Sequence, residues 1–216
     1  MSGASDFDGI FVDLDGTLTE TLGLSIALFG DVLDELDGRR PSLADVEAQL
    51  GASEDGMLVQ LGAKDPARAL VRWVELYEER LPVEGELWTE AIDALRRARE
   101  RGRRVALITG KGPESAAATL RGFGIEDVFD AVETGSPHGV VKARQIRELL
   151  ERFAIPASRA VYVGDAPSDM LAAREAGVAA WGAAWARTTD RAALLATAPD
   201  RLFDAVAEFV AALDGG

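Results

Sequence analysis

Phe11-Val12-Asp13-Leu14-Asp15-Gly16-Thr17-Leu18 sets two carboxylates and a glycine at the end of an apolar run that begins at Gly9. Residues 9–14 (GIFVDL) read as a buried strand, because the run is short, apolar and closed by turn residues. Side chains alternate along a strand, so Asp13 and Asp15 share a face if the strand continues through them. Gly16 allows a sharp turn directly afterwards. In open α/β sheets this carboxyl edge is where ligands bind. Two carboxylates so close repel each other unless a cation lies between them or one is protonated. On its own the pair also reads as a turn closing a strand, since Asp and Gly are common turn formers.

Further short apolar runs follow at 105–109 (VALIT), 160–163 (AVYV) and 178–185 (VAAWGAAW), with a weaker one at 128–132. Helical patterns separate them. Leu87, Ala91, Leu95 and Ala98 recur at helical spacing, as do Ile146, Leu149, Leu150 and Phe153. Pro113 and Pro167 each stand where a first helical residue belongs. This alternation predicts an α/β fold with a doubly wound parallel, Rossmann-like sheet. Residues 19–84 break the rhythm. No strand is convincing there and helical signals are frequent: Ser42 and Asp65-Pro66 look like helix starts, and Leu70, Trp73, Val74 and Tyr77 form a stripe. About four helices inserted between the first two strands are expected to form an α-helical cap over 19–84. Residues 1–18 and 85–216 would then make the catalytic core.

Three more stretches carry polar groups to strand ends. Gly164-Asp165-Ala166-Pro167-Ser168-Asp169 adds two acids after an apolar run and before a helix. Several oxygen donors with almost no histidine suit Mg²⁺, although acids at a helix start also satisfy the helix dipole. Thr109-Gly110-Lys111 offers a hydroxyl and small-residue amides before a helix, a plausible phosphate cradle. Taken alone it reads better as an ordinary capped turn. Lys142 starts a helix against the dipole preference, which an anionic partner would explain, although a solvated lysine is the commoner case. His138 reads as a loop residue, and Trp181 and Trp185 as core. Arg39, Arg40, Lys64, Arg68 and Arg72 read as cap surface, with one or two able to reach a substrate. Residues 51–56 (GASEDG) could form a cap loop facing the site, although a plain surface turn is the commoner case.

Composition removes several classes. With no cysteine and one histidine, the chain has no disulfide framework, no zinc–thiolate site and no cysteine nucleophile. A net charge of −14 repels nucleic-acid backbones and anionic membranes, so neither is an expected partner. Residues 1–8 show no basic segment followed by an apolar one, and no apolar run is long enough to span a bilayer. A cytoplasmic protein is the expectation.

Taken in order, Asp-x-Asp-Gly-Thr at 13–17, Thr109 at a second strand end, Lys142 and Gly-Asp-x-x-x-Asp at 164–169 resemble the motif sequence of the haloacid dehalogenase-like hydrolases. The likeness is strongest to members with a small helical cap, such as phosphoglycolate phosphatases. Glu20, Gly110 and Ala143 depart from the residues usual there. The resemblance implies a Mg²⁺-dependent phosphatase of a small phosphorylated metabolite, acting through an aspartyl-phosphate as a monomer or homodimer. Asp13 would be the nucleophile and Asp15 the general acid/base. Thr109, Gly110 and Lys142 would bind phosphate. Asp13, Asp15 (through its carbonyl) and Asp165 would hold the metal, with Asp169 as a further ligand or a support for the others. The alternatives are a phosphomutase of the β-phosphoglucomutase type and a silent binding protein on the same fold.

Overall fold

A computed structural model of the chain describes residues 7–215, so most of the segment read for a leader, 1–8, lies outside the described residues. The first strand, β1 (Gly9–Val12), is followed by the two-residue β2 (Thr19–Glu20). Four helices come next: α1 (Leu22–Asp37), α2 (Leu43–Glu47), α3 (Glu54–Gln60) and α4 (Pro66–Glu84). The chain returns through β3 (Glu86–Leu87), α5 (Thr89–Glu100), β4 (Arg104–Ile108), α6 (Pro113–Phe123) and β5 (Ala131–Glu133). It continues with α7 (Lys142–Phe153), β6 (Ala160–Gly164), α8 (Pro167–Ala176) and β7 (Ala179–Ala183), and ends with α9 (Arg191–Ala196), β8 (Arg201–Phe203) and α10 (Val206–Asp214).

Six strands form one sheet in the order β5-β4-β1-β6-β7-β8, and every pairing in it is parallel. Alternation along the strands explains why they are apolar throughout. Ile10, Val12, Val105, Leu107, Val161 and Val163 pack on one face against α5 and α10. Phe11, Ala106, Ile108, Ala160 and Tyr162 pack on the other against α7 and α8. Both faces are thus covered, as a parallel sheet requires. From β1 the chain steps outward through β4 and β5, then crosses back to β6 on the other side of β1. That reversal opens a crevice at the carboxyl ends of β4, β1 and β6, where open α/β sheets hold ligands.

The four helices between β2 and β3 have an apolar cluster of their own, built around Leu28, Phe29, Val32, Leu33, Trp73 and Tyr77. The rings of Trp73 and Tyr77 stack with centroids 5.0 Å apart. Ser42 and Asp65 do start helices: each accepts a backbone N–H three residues on, from Asp45 and Arg68. The cluster is not sealed from the sheet, because Ala118 of α6 joins it and the Tyr77 hydroxyl lies 2.9 Å from Thr119 Oγ1.

Several boundaries differ from the sequence reading. Leu87 belongs to β3 rather than to a helix, since the chain leaves and re-enters the core through the antiparallel β2–β3 pair. Pro82 lies inside α4, which runs on to Glu84 before the chain returns through this ribbon. Only the last two residues of 128–132 are strand, because 126–128 form a 3-10 turn. The edge strand β8 had no apolar run to announce it, since Arg201-Leu202-Phe203 carries a charge at its first position.

Candidate active site

Four elements deliver polar side chains to the crevice. Asp13 follows β1, and its N–H donates to Val163 O of β6 at 2.9 Å, so the strand pairing itself holds the residue in place. Asp165 follows β6. Asp169 sits in the first turn of α8, where one carboxylate oxygen accepts the Ala166 N–H at 3.1 Å. Lys142 is the first residue of α7. Gly16 makes the crowding possible: its φ is +75°, and a Cβ there would stand 2.1 Å from Asp165 Oδ2.

One oxygen each from Asp13, Asp165 and Asp169 lie within 4.8 Å of one another. Asp13 is 6% exposed and Asp169 fully buried. Lys142 Nζ donates to Asp169 Oδ1 at 2.6 Å and stands 3.1 Å from Asp13 Oδ1, although that oxygen takes no well-aligned hydrogen bond. Burial pushes the Asp13 carboxyl up to about 7, helped by Asp169 and Asp15 and opposed by Lys142. Burial also pushes Asp165 well above the usual carboxylate range, with Asp13 and Asp169 adding to it. For Lys142, burial opposes the charge, but Asp13 and Asp169 outweigh it and hold its pKa well above the ordinary lysine value. Ionising all three carboxyls against one ammonium would leave net negative charge in a desolvated place, which is why Asp13 and Asp165 hold their protons without a cation. A hard divalent cation fits that donor set, and the poorly satisfied Asp13 Oδ1 is where it is wanted.

Asp15 points elsewhere. Its Oδ1 accepts the Thr21 hydroxyl at 2.5 Å and lies 3.6 Å from Lys111 Nζ. Lys111 is 4% exposed and reaches from the sheet edge into the helical insert. It donates to Ser25 Oγ of α1 at 2.9 Å, approaches Glu54 of α3 at 3.9 Å and stands 4.4 Å over the ring of Tyr77 of α4. Burial opposes its charge, yet Asp15, Tyr77 and Glu54 together raise its pKa. Glu54 returns the contact: its oxygens accept Gly112 N at 2.6 Å and Ser115 Oγ at 2.7 Å, at the N-terminus of α6. Beside it Ser53 N donates to Ser136 O at 3.0 Å, and Gly56 lets α3 sit against Pro137, where a Cβ would come within 2.4 Å of a carbonyl oxygen.

A cavity of about 300 Å³ joins the two clusters. Asp13, Asp15, Thr109, Gly110, Lys142 and Asp165 all line it, while Asp169 lies behind it. The Thr109-Gly110-Lys111 turn is capped as expected, with Lys111 N donating to Thr109 Oγ1 at 3.1 Å. Glu54 takes the Gly112 amide, but the Gly110 N–H has no partner among the described residues. Sequence reasoning missed Lys111 and Glu54. Of the two readings of residues 51–56, the less common one fits, since Gly51, Ala52 and Glu54 line the cavity. None of Arg39, Arg40, Lys64, Arg68 and Arg72 reaches it. A larger open cleft of about 560 Å³ lies beside the start of β4, where Arg96, Arg99 and Arg104 are paired with Asp127 and Asp130. With most of its arginines paired and no carboxylate cluster, it lacks the reactive features of the crevice.

Residues 7–177 match the haloacid dehalogenase-like hydrolases. Over 215 residues the chain is 28% identical to a phosphoglycolate phosphatase of Synechococcus elongatus, covering 94% of this chain and 96% of that one. It is 28% identical to the pyrophosphatase PpaX of Bacillus velezensis, over 82% of each. Among solved structures, CbbY of Rhodobacter sphaeroides in complex with phosphate superposes with a TM-score of 0.78 at 24% identity, covering 96% of this chain and 99% of that one. That likeness speaks for the fold.

Proposed function

The chain belongs to the haloacid dehalogenase-like hydrolases, and from that premise we propose that it is a divalent-metal-dependent phosphatase of a small phosphorylated metabolite. The observation that carries the reading is the gathering of Asp13, Asp165, Asp169 and Lys142 in one buried cluster, with a second carboxylate, Asp15, across the same cavity. Phosphatase names among its relatives support it.

In this reading Asp13 attacks phosphorus, and the bond to the leaving oxygen breaks as an aspartyl-phosphate forms. Asp15 protonates the leaving oxygen, then takes a proton from the water that attacks the acyl-phosphate and restores Asp13. Lys142, Thr109 and the free Gly110 N–H hold phosphate oxygens. Asp13, Asp165 and the Asp15 carbonyl would hold Mg²⁺, with Asp169 supporting them through Lys142. When bound, the ion would offset the carboxylate charge and polarise a phosphate oxygen. Residues 19–84 act as a cap that excludes bulk water. Their entry directly after the Asp13 strand, and the α1 and α3 side chains lining the cavity, support that role.

Release of inorganic phosphate from p-nitrophenyl phosphate tests the proposal. Activity is expected with Mg²⁺, absent in excess chelator and restored by further Mg²⁺; full activity in chelator overturns it.

A further inference from the structure

The cavity has two unlike ends. At the sheet it is polar. On the insert side α1 presents Leu22, Ser25, Ile26 and Phe29, which recur at helical spacing and so form one stripe facing the cavity. Met57 of α3 continues this wall. At the mouth stand Leu50 and Val140, which are 47% and 58% exposed. They flank the opening from the insert and from the core, and a Cβ on Gly51 would lie 3.2 Å from Val140 Cγ2. Large exposed apolar side chains on both lips of a cavity are costly without an apolar occupant.

Charge points the same way. The cavity is lined by four carboxylates, Asp13, Asp15, Glu54 and Asp165, and by two cations, Lys111 and Lys142. Lys142 is held between Asp13 and Asp169, and Lys111 between Asp15 and Glu54. No arginine of the insert lines the cavity. Arg39 donates to Leu61 O, Arg72 pairs with Glu35, and Arg40 and Arg80 pair with Asp31. A divalent ion would balance the phosphate, but nothing would balance a second anion on the leaving group.

Resting on the phosphatase reading, we infer that the preferred substrate is a phosphate monoester of an uncharged, largely apolar alcohol. The insert stripe Leu22–Ile26–Phe29 receives its organic group. A leaving group carrying a carboxylate or a second phosphate is disfavoured, because both lysines that line the cavity are already engaged by carboxyl groups. This separates the chain from relatives whose names specify phosphoglycolate or pyrophosphate.

The test compares kcat/KM for benzyl phosphate, phosphoglycolate and pyrophosphate at saturating Mg²⁺, with p-nitrophenyl phosphate as a reactive reference. Benzyl phosphate and phosphoglycolate are both esters of primary alcohols, so chemical reactivity contributes little to their difference. Benzyl phosphate is expected to lead by at least about tenfold. If phosphoglycolate or pyrophosphate equals or exceeds it, the inference falls while the phosphatase reading stands. If no ester releases phosphate, p-nitrophenyl phosphate included, both fall. Ile26→Arg, and Leu50→Arg at the exposed mouth in case the first does not fold, should each shift the benzyl-to-phosphoglycolate ratio at least about tenfold toward phosphoglycolate. An unchanged ratio in a folded variant means that the stripe does not receive the leaving group.

Discussion

Lys111 is buried and Lys142 partly so; each ammonium faces carboxylates, but different parts of the chain hold them. Lys142, at the start of α7, meets Asp13 after β1 and Asp169 of α8. All three belong to the sheet and its covering helices, so the cluster is complete wherever the insert stands. Lys111 meets Asp15 from the core, but Ser25, Glu54 and Tyr77 come from three helices of the insert. That cluster exists only while the insert is docked. On the proposed mechanism the contrast divides the labour: the first site would handle phosphorus, and the second would tie the acid/base candidate to closure.

Asp13→Asn should break the first cluster outright. It removes the proposed nucleophile with a nearly isosteric group, so turnover should fall by roughly 10⁴-fold or more on every ester while circular dichroism stays unchanged. Near-normal phosphate release would mean that the division is drawn in the wrong place. Asp15→Asn should cost less, roughly 10²–10⁴-fold. The loss should be smaller on p-nitrophenyl phosphate than on benzyl phosphate, because nitrophenolate leaves without a proton.

Lys111→Met sharpens the comparison. It strands Asp15 and Glu54 without their cation, which destabilises the docked state by up to about 3 kcal/mol. The expected readout is faster hydrogen exchange in α1 and α3, with β1 and β4 still protected. Uniform exchange across insert and sheet would show that the two clusters are one unit.

The smallest effect concerns protons. Burial raises Asp13 from 3.8 to about 7, so the metal-free folded protein binds a proton that the unfolded chain releases above about pH 4. Stability therefore falls as pH rises through the window between those values. In chelator the melting temperature should be lower at pH 7.5 than at pH 5.5, and Mg²⁺ should narrow the gap. A melting temperature in chelator that rises over this range would contradict the desolvated first cluster.

The same division explains what could be read from the sequence. Asp13, Asp165 and Lys142 sit at the ends of elements with local signatures, an apolar run or a helix start, and parallel topology gathers such ends at one edge. Lys111 and Glu54 had only local readings, one as part of a capped turn and the other as part of a loop or surface turn. Their meeting depends on how an insert of four helices docks, and nothing within a few residues of either encodes that. The strand β8 escaped notice for a related reason. Three residues beginning with Arg201 form a strand only because β7 already offers an edge to pair with.

The seat of Glu54 at the N-terminus of α6 has one more consequence. If the insert swung away, water would hydrate the freed carboxylate and the exposed Gly112 N–H and Ser115 hydroxyl alike. The exchange would be close to even, since a hydrogen bond that both partners can replace with water contributes little net free energy. The contact is therefore a poor adhesive and a good locating pin. An insert held this way could part from the core during substrate exchange, and the pin would fix the register in which the two surfaces meet again.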